Sequence, residues 1–139
     1  MPVRVKLEIK SEHGNIIVTT LALVNTGFTS DNPDLAIPVA LAEKLNLWPR
    51  PPNAIAVSLE TGGGVIESYI IPQTAAVKII TNDRTSREVV VNIIVNPFID
   101  EVLISDALAE ELGIQILYPR RGLWKFADES RTRESESVP

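Results

Sequence analysis

Ile16-Ile17-Val18-Thr19-Thr20-Leu21-Ala22-Leu23-Val24-Asn25-Thr26-Gly27 is the most informative run in the chain. Its first part is rich in β-branched and aliphatic residues and predicts a strand over 16–24. The strand runs straight into Asn25-Thr26-Gly27. Upstream, Val3, Val5, Leu7 and Ile9 alternate with Arg4, Lys6, Glu8 and Lys10. A period of two describes a strand with one face buried and the other in water. Between them, Ser11-Glu12-His13-Gly14-Asn15 carries turn chemistry. The chain therefore opens as a β-hairpin whose second strand delivers Asn25 to a loop.

Strands and turns continue downstream. Asp31-Asn32-Pro33-Asp34 reads as a loop. Pro38 suits the first turn of a short helix running to Leu45, with Asn46 at its end. Pro49, Pro51 and Pro52 form a stiff connector. Ala54–Leu59 and Val65–Ile71 read as strands joined by Glu60-Thr61-Gly62-Gly63-Gly64, where three glycines permit unusual backbone geometry. Ala75–Ile80 and Glu88–Val95 form another strand pair about the polar turn Asn82–Ser86. Val102–Ile104 is a short strand. Ser105 or Asp106 caps a helix through Leu112, and Gly113 ends it. Ile114–Tyr118 and Leu123–Phe126 flank the turn Pro119–Gly122. The polar residues 127–139 are expected to be a disordered tail behind a single domain over 1–126.

An internal echo links the two helices. Ala40-Leu41-Ala42-Glu43-Lys44-Leu45-Asn46-Leu47 resembles Ala107-Leu108-Ala109-Glu110-Glu111-Leu112-Gly113-Ile114. Each segment follows an apolar strand, a polar loop and a short apolar piece. The strand ends echo as well, Val24-Asn25-Thr26-Gly27 against Val95-Asn96-Pro97-Phe98. Amphipathic helices resemble one another by chance, but the whole series reads as a duplicated strand–loop–strand–helix unit.

Composition narrows the function. The 139 residues are 45% hydrophobic and 22% charged, which suits a folded domain and not a disordered chain. Thirteen basic against eighteen acidic residues give a net charge of −5. That balance disfavours nucleic-acid binding, which clustered cations drive. Cysteine is absent and His13 is the sole histidine. This excludes a disulfide framework, a thiol nucleophile and a Cys/His metal cluster, and leaves little room for a Ser-His-Asp triad. No apolar run has the length of a membrane span or the form of a signal peptide, so no stable membrane insertion and a cytoplasmic location are expected.

Leu21-Ala22-Leu23-Val24-Asn25-Thr26-Gly27-Phe28-Thr29-Ser30 resembles the active-site segment of the retropepsin-like aspartic proteases. In that family an apolar run leads into Asp-Thr-Gly or Asp-Ser-Gly. Ile37-Pro38 and Leu41-Ala42-Glu43-Lys44-Leu45 are similar to the helix that often follows. Val102-Leu103-Ile104-Ser105-Asp106-Ala107-Leu108, then Leu112-Gly113, resembles the second landmark, an apolar pair and usually a Gly before a helix ending in Leu-Gly. The resemblance runs from about Val3 to Phe126. It departs at two positions: Asn25 stands at the catalytic Asp, and Ser105 at the usual Gly.

The resemblance implies a mostly β, closed-barrel acid-protease fold with two short helices. It implies a homodimer acting on extended peptide or protein substrates, because one triplet per chain supplies half of a carboxyl pair. No cofactor is implied. Thr26 would brace the opposing loop, and Gly27 would let substrate backbone approach. Thr61, Gly62, Gly63 and Gly64 would form a flap closing over substrate. Trp48 and Trp124 read as packing or dimer-contact residues. The Asn25 amide cannot act as a base near neutral pH, so the chain is expected to be an inactive form. An introduced Asp→Asn exchange and a natural pseudoenzyme both account for Asn25. The first is preferred because the loop keeps Thr26, Gly27 and Thr29. The alternative function is a non-catalytic peptide-binding or dimerisation module of the same fold.

Overall fold

The alternating opening forms β1 (Arg4–Ser11), with Val5, Leu7 and Ile9 turned into the core. It pairs antiparallel with β2 (Ile17–Val24), as the hairpin reading expects. The computed structural model describes residues 2–12, 15–25, 27–61 and 64–137. Onward come β3 (Asp34–Ile37), α1 (Val39–Lys44), β4 (Ile55–Thr61), β5 (Gly64–Ile79), β6 (Val89–Val95) and β7 (Val102–Ile104). Then follow α2 (Asp106–Glu111), β8 (Ile114–Tyr118), β9 (Leu123–Phe126) and β10 (Arg133–Glu134). The mostly β expectation with two short helices stands.

The strands order as β1-β2-β7-β3-β6-β5, and β1 also pairs with β5, which closes a six-stranded barrel. β4 lies outside the ring, paired only with the first half of β5 among the described strands. Closure removes the exposed strand edges that invite aggregation. Leu7, Ile9, Leu35, Ile37, Ile71, Ile79, Ile93 and Ile104 fill the core. β3 is buried along its whole length, and α2 lies against both β3 and β6.

The echo in the sequence is a twofold in the topology. β2 runs parallel to β7, with Val24 opposite Ile104. β6 runs parallel to β3, with Val95 opposite Ile37. Between the two parallel pairs, β3 and β7 are antiparallel, with Leu35 opposite Ile104 and Ala36 opposite Leu103. Each half thus inserts its second strand beside the first strand of the other.

Three expectations need correction. Val65–Ile71 and Ala75–Ile80 are not separate strands but parts of β5. The register shifts between Ile71 and Ala75, where Gln73 adopts φ 46°, so the chain bends without breaking. The loop reading of 31–34 hides the start of β3 at Asp34.

The expected disordered tail is instead folded back, with contacts as far as Glu136. β10 pairs with β9, and Arg133 is only 7% exposed. Its guanidinium meets Asp83 at 2.7 and 2.9 Å and Glu129 at 2.8 and 2.9 Å. The Arg84 and Arg133 guanidinium carbons lie 4.2 and 5.2 Å from the Phe126 ring centroid. Hydrogen bonds from Arg133 hold the Asp83 carboxyl well below the usual range and the Glu129 carboxyl at about 2. Further on, Ser135 Oγ accepts from Arg4 N at 2.8 Å, and Glu136 N donates to Arg4 O at 2.9 Å. Polar side chains and backbone hydrogen bonds fasten this segment.

Candidate functional site around Asn25

Asn25 follows the last residue of β2 and is half-buried. Its peptide N–H donates to Ile104 O at 3.2 Å, across the parallel β2–β7 pair. Its Oδ1 accepts from Gly27 N at 3.1 Å, and its carbonyl accepts from Phe28 N at 3.0 Å. The side chain thereby closes a tight turn on itself. A Cβ added to Gly27 would sit 3.3 Å from Asn25 Oδ1, so only glycine fits there without displacement. The amide Nδ2 donates to no other described residue. An open cavity of about 420 Å3 adjoins the site, bordered by Leu23, Asn25, Ile116, Pro119 and Arg120.

The loop beyond Asn25 is tied to the start of α2. Asp106 N donates to Phe28 O at 2.9 Å, and Asp106 Oδ1 accepts from Ser30 N at 2.9 Å. Ser105 Oγ accepts from Asp34 N at 3.1 Å and also from Leu108 N at 3.1 Å, capping the helix. Ser105 therefore serves where a glycine was expected: its φ of −68° needs no left-handed backbone. Asp34 is buried at 6% exposure. Its carboxylate accepts from Ser30 Oγ and, at 2.9 Å, from Asn92 Nδ2. Asn92 Oδ1 in turn accepts from Gln73 N at the β5 bend. One polar chain thus runs from the site loop through β3 and β6 to β5.

Of the residues singled out by sequence, Asn25 and Gly27 meet in one turn. Thr26, Gly62 and Gly63 lie outside the described residues, as does His13. Thr61 and Gly64 pair at the end of the β4–β5 hairpin, with Gly64 at φ +119°. That places Thr61 and Gly64 at the end of a hairpin. Trp48 packs partly against the core, its ring 5.7 Å from Tyr69, and Trp124 is buried. Asp34 and Asn92 escaped the sequence reading as site residues, and Asp106 was read only as a helix cap. A lone acidic residue after Asn-Pro looks like a loop, and nothing in its neighbours announces a partner 58 residues away.

The site offers no acid or base at position 25, because a primary amide neither gains nor loses a proton near neutrality. Among the described residues no cluster of His, Cys, Asp and Glu could hold a metal ion, and no helix is long and apolar enough to cross a membrane. No protein-family model matches the chain, and no curated protein matches it.

Proposed function

We propose that the chain is a retropepsin-like aspartic endopeptidase in an inactive form, acting on extended peptides as a homodimer, with Asn25 at the position of the catalytic Asp. The observation that carries the reading is the setting of Asn25. It ends a barrel strand, its peptide N–H is anchored to Ile104, its side chain is bound by Gly27 N–H, and an open cavity adjoins it. A carboxylate there would accept the same Gly27 bond with one oxygen and keep the other for a water. The Asp106, Ser105 and Asp34 bonds would hold the loop still while it worked.

The chemistry requires two such carboxyls, one from each subunit, across a twofold axis. Two aspartates so close share one proton, since both cannot ionise cheaply. One takes a proton from water; the other gives a proton to the scissile carbonyl, and their pKa values belong to the pair. Thr26 would brace the opposing loop. The hairpin ending at Thr61 and Gly64 would cover the substrate. The amide of Asn25 is itself the observation behind the second reading, a non-catalytic peptide-binding or dimerisation module.

Asn25→Asp separates the two. The variant should cleave extended peptides with a bell-shaped profile on the acidic side. A mimic with a hydroxyl in place of the scissile carbonyl should block it. A folded, dimeric variant that cleaves nothing in a diverse peptide library between about pH 3 and pH 7, the span of carboxyl titration, leaves the binding module.

A further inference from the structure

The cavity of about 420 Å3 beside Asn25 is otherwise lined by apolar residues and one cation. Leu23 and Ile116 are half-buried, and Pro2 and Pro119 are exposed, so these four are open to a ligand. Arg120, also exposed, is the one charged residue in the described lining.

Arg120 sits in the turn that joins β8 to β9. Its neighbour Arg121 holds its guanidinium carbon 5.1 Å from the ring centroid of Tyr118, which is 53% exposed. Two adjacent cations thus share one turn of a chain whose net charge is −5. Among the described residues no carboxylate lines the cavity. A guanidinium carries five N–H donors in a fork that matches a carboxylate, so a contact made elsewhere does not spend it.

An extended peptide can supply both complements. Its side chains two positions apart lie on the same side. An apolar side chain set against Leu23 and Ile116 therefore leaves the next side chain on that side for Arg120. A lysine there would meet a like charge, and a glutamine would offer only a neutral acceptor, the weaker kind.

We propose that Arg120 is a specificity-determining residue of the Asn25 site, selecting peptides with Asp or Glu two positions from an aliphatic residue. Leu23, Ile116 and Pro119 take the aliphatic side chain, and Arg120 pairs with the carboxylate. This selectivity rests on the peptide-binding reading of the Asn25 site and adds the class of peptide.

Fluorescence anisotropy tests it on the full chain with Asn25 in place, at about pH 7, where peptide carboxyls are ionised. Pools of labelled nonapeptides carry a central Leu-Ala-Glu or Glu-Ala-Leu, and matched pools carry Gln or Lys in place of Glu. The better Glu pool should bind about fivefold more tightly than its Gln match, the upper worth of an exposed ion pair. The Lys match should bind more weakly than both. Arg120 is exposed, so Arg120→Gln should fold normally and bind the Glu and Gln pools alike. Arg120→Lys should keep part of the difference. The proposal is overturned if no pool binds, if the Glu pools bind no better than their Gln matches, or if Arg120→Gln retains the preference. Cleavage by Asn25→Asp judges the peptidase reading separately. A variant that cleaves without regard to acidic residues keeps that reading and ends this one. A preference for Glu in binding, with no cleavage by the variant, does the reverse.

Discussion

The two halves of the barrel use one backbone plan with different side chains. In the first, Asn25 N donates to Ile104 O at 3.2 Å and Asn25 Oδ1 accepts from Gly27 N at 3.1 Å. In the second, Asn96 N donates to Ile37 O at 3.1 Å and Asn96 Oδ1 accepts from Phe98 N at 2.9 Å. The two turns share these two bonds, and only the first adds Phe28 N donating to Asn25 O, at 3.0 Å, among the described residues. Beyond them the halves part. The first loop is tied to α2 through Phe28 and Ser30, and it carries a glycine two residues after its Asn. The second carries Phe98, 73% exposed, and among the described residues its backbone makes no comparable bond to α1. Register equates Asp34 with Glu101. Asp34 is buried among Asn92 and Ser30, whereas Glu101 pairs with Arg4 near the surface. The lesson is that the topology comes in two copies and the polar scaffolding in one. The scaffolded copy is the one at Asn25.

That contrast can be broken by treating the equivalent acids alike. Asp34→Ala leaves Asn92 Nδ2 and Ser30 Oγ without their acceptor. Unsatisfied buried polar groups cost about 1–3 kcal/mol each, so the loss should reach at least that. Glu101→Ala removes one partly exposed ion pair and should cost no more than about 1 kcal/mol. Urea unfolding midpoints of the two variants check the ranking, and equal losses would erase the distinction between the halves.

Acid gives a smaller effect that sharpens the contrast, because the Glu129–Arg133 clasp belongs to neither half. The hydrogen bond from Arg133 depresses the folded pKa of Glu129 from its ordinary 4.5 to about 2. A carboxyl lowered in this way stabilises the fold above its unfolded pKa, and its contribution fades as pH falls through the folded value. Stability should therefore decline between about pH 4.5 and about pH 2. Glu129→Gln should flatten part of that decline. Amide exchange should show β9 and β10 loosening before β3 and β6.

Much of the barrel was legible because its strands have a side in and a side out. Val5, Leu7 and Ile9 announce β1 by period alone. β3 escaped because four residues buried on both faces carry no period. β5 was divided because Pro72-Gln73-Thr74 resembles a turn, and only the pairing with β1 and β6 shows a bend within one strand. The tail was misread because polarity signals disorder unless each charge has a partner. Asp83 lies 50 residues from Arg133, a distance that no local pattern spans. At the site, Asn25 and Gly27 were legible as a motif. The bonds of Asp34 and Asn92, and the tie from Asp106 to Ser30, were not, since they are made only once the strands have crossed.

The proposal requires the two Asn25 positions of a dimer to meet across a twofold axis, while their internal counterparts at Asn96 do not. The chain has no cysteine, so single substitutions read this without background. Disulfides form when Cα atoms come within about 4.4–6.8 Å. Under mild oxidation, Asn25→Cys should convert the protein rapidly into a covalent dimer on a non-reducing gel. Asn96→Cys should remain monomeric on the same gel. An Asn25→Cys variant that stays monomeric, or cross-links no faster than Asn96→Cys, would contradict the account.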